Sequence, residues 1–337
     1  MFALRGIAVS LTFFVLVYCL LSAMVAIGWR WLRWLHAREK SLAGLLFALR
    51  VLPLATSVLV TFAFVVPSFQ LLEPRSLDLH EGIGAMPLVL GVCALLLIAC
   101  GCFRVITAQT RTSRVVARWL DGARPVTLDV LNLDLLNLNV NADVNADVNA
   151  EVSAPTVAFC SRREAPPLTL VGLRKPRVLV SNSALALLSH DELHIALKHE
   201  LAHMQSRDNL KKLVFRFCPF PGMAKLESAW SQATELAADD AAVSNLDDAV
   251  DLAAALVKLS RLLPVEAAPV CTVGFVTGSI SARVARLLAW NEGSQIPPAR
   301  LRPWHVIPPA LVTLLCVFAT YGPALALTHE VTEWLVR

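Results

Sequence analysis

The sequence predicts a membrane α-helical protein of about four spans, with a cytosolic, mostly helical α+β domain between the third span and the fourth. Three observations predict it. The chain of 337 residues is 56% hydrophobic and only 17% charged, with a mean hydropathy of +0.60; a soluble domain is nearer half apolar and a quarter charged. Four apolar runs are each about 20 residues long, the length that crosses a hydrocarbon core of ~30 Å. Between the third run and the fourth, residues 104 to 305 carry ordinary polar patterning with helix caps and short strands.

The first run is Gly6 to Gly28, too long for a signal-peptide core and without a small-residue cleavage site. The second is Val51 to Leu72, bounded by Arg50 and Glu73, with Pro53 and Pro67 near its ends. The third is Gly84 to Phe103. The fourth is Val306 to Leu327, uncharged but interrupted by Pro308, Pro309 and Pro323. Basic residues orient them. Arg30, Arg33, Arg38, Lys40 and Arg50, among Trp29, Trp31 and Trp34, mark a cytoplasmic loop. Arg75 alone, with Glu73, Asp78 and Glu81, marks an outer one. Arg104 to Arg124 return the chain to the cytoplasm, and Arg283, Arg286, Arg300 and Arg302 precede the last span. Both termini are then outside a plasma (inner) membrane. The expected organisation is a membrane module over 1–105, a cytosolic domain over 106–305, and a fourth span with a short tail over 306–337.

The net charge of +4 sits in clusters beside apolar runs, so direct nucleic-acid binding is not expected. Eight cysteines form no CxxC pair and read as small apolar residues. Residues 104 to 124 fit a basic helix continuing span three. Residues 128 to 152 end in the repeat Asn141-Ala-Asp-Val, Asn145-Ala-Asp-Val, Asn149-Ala-Glu-Val, a low-complexity insertion with strand-like alternation but poor strand formers. Thr156 to Cys160 and Arg177 to Ser181 read as strands joined by a Pro-rich loop. Ser189 with Glu192 forms a capping box that opens a helix running to about Asp208. Further helices are expected over Ala224 to Asn245 and Asp247 to Leu263. Leu213 to Met223 is apolar and Pro-broken, and fits either the bilayer surface or the domain.

The first of these helices holds His199-Glu200-Leu201-Ala202-His203, an HExxH motif. Residues i and i+4 share a helix face, so both imidazoles reach one metal. Zinc accepts imidazole nitrogen in tetrahedral geometry and, at catalytic sites, takes three protein ligands. Glu200, beside the first ligand, faces a water at the metal and serves as general base. Glu235, in Glu235-Leu-Ala-Ala-Asp239 on the next helix, is the candidate third ligand. Asp239, one turn on, is placed to accept the free N–H of a ligand imidazole. His190 and His194 fall off the metal-facing stripe and read as surface or capping residues. Arg283 is the candidate for stabilising the transition-state oxyanion.

These residues resemble the BlaR/MecR-type membrane zinc peptidases. The resemblance is carried by Pro176-Arg-Val-Leu-Val-Ser, Leu188-Ser-His-Asp-Glu-Leu, His199 to His203 with Arg207-Asp208, Glu235 to Asp239, and Ser281-Ala-Arg-Val-Ala-Arg-Leu-Leu, over about residues 155 to 290. It implies a zincin-like fold and one Zn2+ held by His199, His203 and Glu235. It further implies Glu200 as catalytic base and Asp239 behind the ligands. Its partners would be a protein substrate of the BlaI/MecI repressor type and the lipid bilayer, with room for a homo-oligomer. No SxxK motif and no penicillin-binding sensor stands in the sequence, so the β-lactam input of that family is not implied. Two other readings compete. One is a HtpX-like quality-control protease of the membrane. The other is a non-catalytic receptor or scaffold with a structural zinc, for which an intact Glu200 has no use. An intramembrane protease fits less well, since Lys198, Gln205, Arg207 and Asp208 surround the motif.

Overall fold

A computed structural model describes residues 2–29, 39–73, 84–121, 124–127, 156–160, 166–173, 176–262, 273–274, 280–290 and 320–334. Three of its helices are long and apolar enough to cross a membrane. The first is α1 (Phe2–Gly28). The second is a composite of α2 (Glu39–Val60), a π-helical segment (Thr61–Val65) and α3 (Val66–Leu72). The third is α4 (Ala85–Leu120), which runs unbroken through the boundary expected near residue 105. Its polar continuation is thus one rod with span three, as the sequence suggested. Cys19, Cys93, Cys100 and Cys102 point outward from these helices rather than inward.

The π-helical segment has a local cause. Pro67 has no N–H for the carbonyl of Ala63, and its ring crowds that carbonyl, so the helix widens just ahead of it. The Tyr321 hydroxyl donates to Ala63 O at 2.8 Å. Tyr321 belongs to α11 (residues 320–334), the described part of the C-terminal apolar region. Residues 306–319 of the expected fourth span lie outside the described residues, as do the basic loop 30–38 and the Asn-Ala-Asp-Val repeat.

The remaining elements are β1 (Arg124–Thr127), β2 (Thr156–Cys160), β3 (Leu168–Val171), β4 (Arg177–Ser181), α5 (Asn182–Leu187), α6 (His190–Gln205), α7 (Asp208–Phe217), α8 (Ala224–Ala242), α9 (Leu246–Ser260), β5 (Val273–Gly274) and α10 (Ile280–Leu288). The five strands form one sheet in the order β1-β2-β4-β3-β5. β2 and β4 are parallel and the other neighbours antiparallel. The two expected strands are β2 and β4. The loop between them holds a third strand, β3, which pairs on the far side of β4.

β3 and β4 are buried on both faces, and their alternation divides the side chains. Leu168, Leu170, Val178 and Val180 face α6 and α9, joining Ile195, Leu197, Leu252 and Leu256 in the main core. Val171 and Leu179 face the other way, against Val115, Val116, Trp119 and Leu120 at the end of α4. The polar end of this membrane-length helix therefore covers the back of the sheet. A second core joins the membrane helices to α7 and α8: Val25, Trp29, Ala43 and Leu46 meet Phe215, Met223, Leu226 and Trp230. The apolar stretch 213–223 thus packs on the membrane-length helices through Phe215, Phe220 and Met223, with Pro221 and Gly222 exposed.

Candidate metal centre

The Ser189 and Glu192 capping box fixes where α6 starts. Ser189 N–H donates to Glu192 Oε2 at 2.8 Å and Glu192 N–H to Ser189 Oγ at 3.2 Å. With the start fixed, His199 and His203 fall on the face turned to α8, Glu200 lies beside them near Leu170 of β3, and all three are fully buried. α6 ends at Gln205, earlier than expected. Arg207, at φ 54°, takes the left-handed conformation and reverses the chain. The reversal brings Asp208, the first residue of α7, back under the helix it follows.

His199 Nε2 and His203 Nε2 stand 3.2 Å apart. Glu235, arriving on α8, places Oε2 3.7 Å from the first and Oε1 3.8 Å from the second. Each imidazole is backed on its other nitrogen by a carboxylate. Asp239 Oδ1 is 3.0 Å from His199 Nδ1, and Asp208 Oδ2 is 2.7 Å from His203 Nδ1. With those Nδ1 atoms as donors, both Nε2 atoms present lone pairs to one point, where Glu235 adds a third. All three ligand atoms lie within 4.8 Å of one another. Tetrahedral coordination at about 2.0–2.1 Å would separate neighbouring ligand atoms by about 3.3 Å, close to what is found. The residues fit a bound zinc ion.

Arg283 is not aimed at a substrate oxyanion. It is buried behind the centre, where Nε donates to Asp239 Oδ2 at 2.8 Å and Nη1 to Glu235 Oε2 at 2.9 Å. One guanidinium from α10 thus orients both acidic residues of the ExxxD pair. That corrects the sequence expectation: the fork that suits an oxyanion is spent on two carboxylates. Asp208 is the residue sequence reasoning passed over. The available signal was an acid five positions after a ligand, just beyond the helix end.

The electrostatics follow. Burial pushes His199 down, but Asp239 and Glu235 outweigh it and raise its pKa to about 9. Burial also dominates at His203, which is lowered despite Asp208. Burial opposes ionisation of Glu235 and Asp239. The neighbouring His199 and Arg283 reverse this, holding Glu235 below the usual range and Asp239 at about 2. The pocket therefore favours a positive charge among its lone pairs. Glu200 differs: burial, reinforced by Glu235, lifts it to about 8 against the pull of His199 and of the Leu170 backbone. His190 and His194 stay apart from this cluster, at the start of α6.

A family model described as BlaR1 peptidase M56 matches residues 94–287, more than half of the chain. The chain belongs to that family. It is a BlaR/MecR-type membrane metallopeptidase, as the motifs implied. The M56 match opens inside α4 and closes inside α10, so it encloses every residue of the centre, from His199 to Arg283. A search of the curated proteins finds no match to this M56 peptidase.

Proposed function

We propose that this chain is a zinc metalloendopeptidase of the plasma membrane whose centre lies on the cytoplasmic side. The observation that carries the reading is the convergence of His199, His203 and Glu235, with the buried carboxylate of Glu200 beside them. Zinc bound there would supply Lewis acidity and lower the pKa of water towards ~7. Glu200 takes the proton of the attacking water and passes it to the leaving amine. A buried carboxylate with a raised affinity for a proton suits both halves of that transfer. Asp208 and Asp239 keep the imidazoles in the ligating tautomer, and Arg283 holds Glu235 in place. A structural zinc has no need of a buried Glu200 beside it, which supports a catalytic centre over the scaffold reading.

The cytoplasmic placement is supported by the Lys and Arg bias of the loops. The resemblance supports a repressor of the BlaI/MecI type as substrate, cut in response to a signal at the membrane. Two measurements test the core of the reading. Protein purified in detergent should hold one zinc per chain and cleave a repressor of that type. Glu200→Gln should keep the zinc and lose cleavage by about 10²–10⁴-fold. Undiminished cleavage by Glu200→Gln would sink the mechanism.

A further inference from the structure

We propose that Arg50 is a positioning residue for the metal centre, clamping the turn between α7 and α8 to the membrane helices. The proposal rests on the reading of that centre as a zinc site. α7 begins with Asp208, which backs His203; α8 carries Glu235 and Asp239. Whatever fixes the joint between these two helices fixes how the ligands and their supports meet.

That joint is residues 218–223, and three membrane-length helices hold it. Arg50, on α2, is almost fully buried. Its Nη2 donates to Cys218 O and, at 3.4 Å, to Phe215 O, while Nε donates to Glu227 Oε1 at 3.0 Å. The two carbonyls belong to the C-terminal end of α7, and Glu227 lies in the first turn of α8. One cation therefore caps the negative end of one helix while pairing with an acid at the positive end of the next. Tyr18, on α1, donates to Pro219 O at 3.0 Å. Gly101, on α4, lets Phe217 O approach so closely that a methyl there would collide with it. The Arg50 side chain stacks over the Phe215 ring, which meets Trp230 edge-on.

A buried guanidinium is costly unless all its donors are used. A planar fork serves three acceptors on two helices, which a lysine ammonium does not reproduce. Glu227 stands two turns before Glu235 on the same helix, about 12 Å along its axis. Arg50 thus acts on the centre only through the backbone of α7 and α8.

The test uses the full chain in nanodiscs, stripped of metal and titrated with Zn2+ against a chelator, with Co2+ absorption as a second readout of ligand geometry. Arg50→Met should weaken Zn2+ binding by about 10–100-fold, as loss of a supporting group does at other centres, and change the Co2+ spectrum. Arg50→Lys should recover part of the loss, and Gly101→Ala should move binding the same way. Arg5→Met, which breaks an ion pair to Glu73 (3.2 Å) far from the joint, is the control for mere destabilisation. Should Arg50→Met not fold, Glu227→Gln should weaken binding in its place. Wild-type affinity and spectrum in Arg50→Met, or in Glu227→Gln, would overturn the proposal. A wild-type chain that binds no Zn2+ would instead overturn the metal-centre reading beneath it.

Discussion

His203 Nδ1 stands 2.7 Å from Asp208 Oδ2, so the last ligand of α6 is held by the first residue of α7. The contact spans five positions and one left-handed residue, Arg207. It fixes which imidazole nitrogen faces the metal. Asp208→Ala should therefore reduce zinc affinity by about 10–100-fold while α6 stays folded. Competition with a chromogenic chelator measures it. Unchanged affinity would mean that the His203 ring is held by packing alone.

Arg283 joins Glu235 and Asp239 from behind through one guanidinium, while His199 faces both from the other side. Removing it leaves two buried carboxylates with His199 but without the guanidinium that bridges them. Arg283→Met should lower stability by about 3–5 kcal/mol in the metal-free protein. Zinc at saturating concentration should restore part of this, because the ion replaces the missing positive charge at Glu235. Thermal unfolding with and without Zn2+ reads both effects. A metal-free loss below about 1 kcal/mol would contradict the clamp.

All three candidate ligands and Glu200 are buried. A chelator in solution reaches the ion only when the site opens. Inactivation by a chelator should level off as its concentration rises, at a rate set by opening. A rate that climbs in proportion to chelator without a plateau would show a centre open to solvent.

Glu192 supplies a pH-dependent contribution away from the centre. Burial raises its pKa, but Lys258 Nζ at 2.7 Å and the Ser189 N–H lower it further, so it ends below the ordinary 4.5. A depressed acid stabilises the fold fully above its unfolded pKa, and the contribution is lost as pH falls through the folded value. Lysine 258 is over a third exposed, so solvent screens the pair to about 1 kcal/mol or less. Between pH 6 and pH 3, Lys258→Met should lose less stability than wild type. Parallel melting curves for the two across that range would remove Glu192 as the cause.

The parts of this molecule that follow a helical or apolar period were legible in the sequence. His199 and His203 share a face by spacing alone, and Glu235 with Asp239 repeats the pattern on the next helix. Glu192 announced the start of α6. What escaped depends on the chain turning back on itself. β3 is four residues in a Pro-rich stretch and, buried on both faces, shows no alternation to detect. α7 was hidden because its C-terminal half reads as an apolar run; it stops just before Pro219, where a helix cannot easily continue. Asp208 needed the left-handed Arg207, a conformation no glycine advertised. The role of Arg283 depends on where α10 docks, which no local pattern encodes.

The clamp from α10 also sets an order in time. A ribosome makes His199 and His203 first, then Glu235 and Asp239, and Arg283 only near the end. Until α10 emerges, the two acids share a pocket without the guanidinium that reconciles them. The nascent chain is expected to complete its metal centre only when α10 docks, well after its first three membrane-length helices are made. Chains arrested near residue 270 should give a Co2+ spectrum unlike that of the finished protein; an identical spectrum would remove this order of assembly.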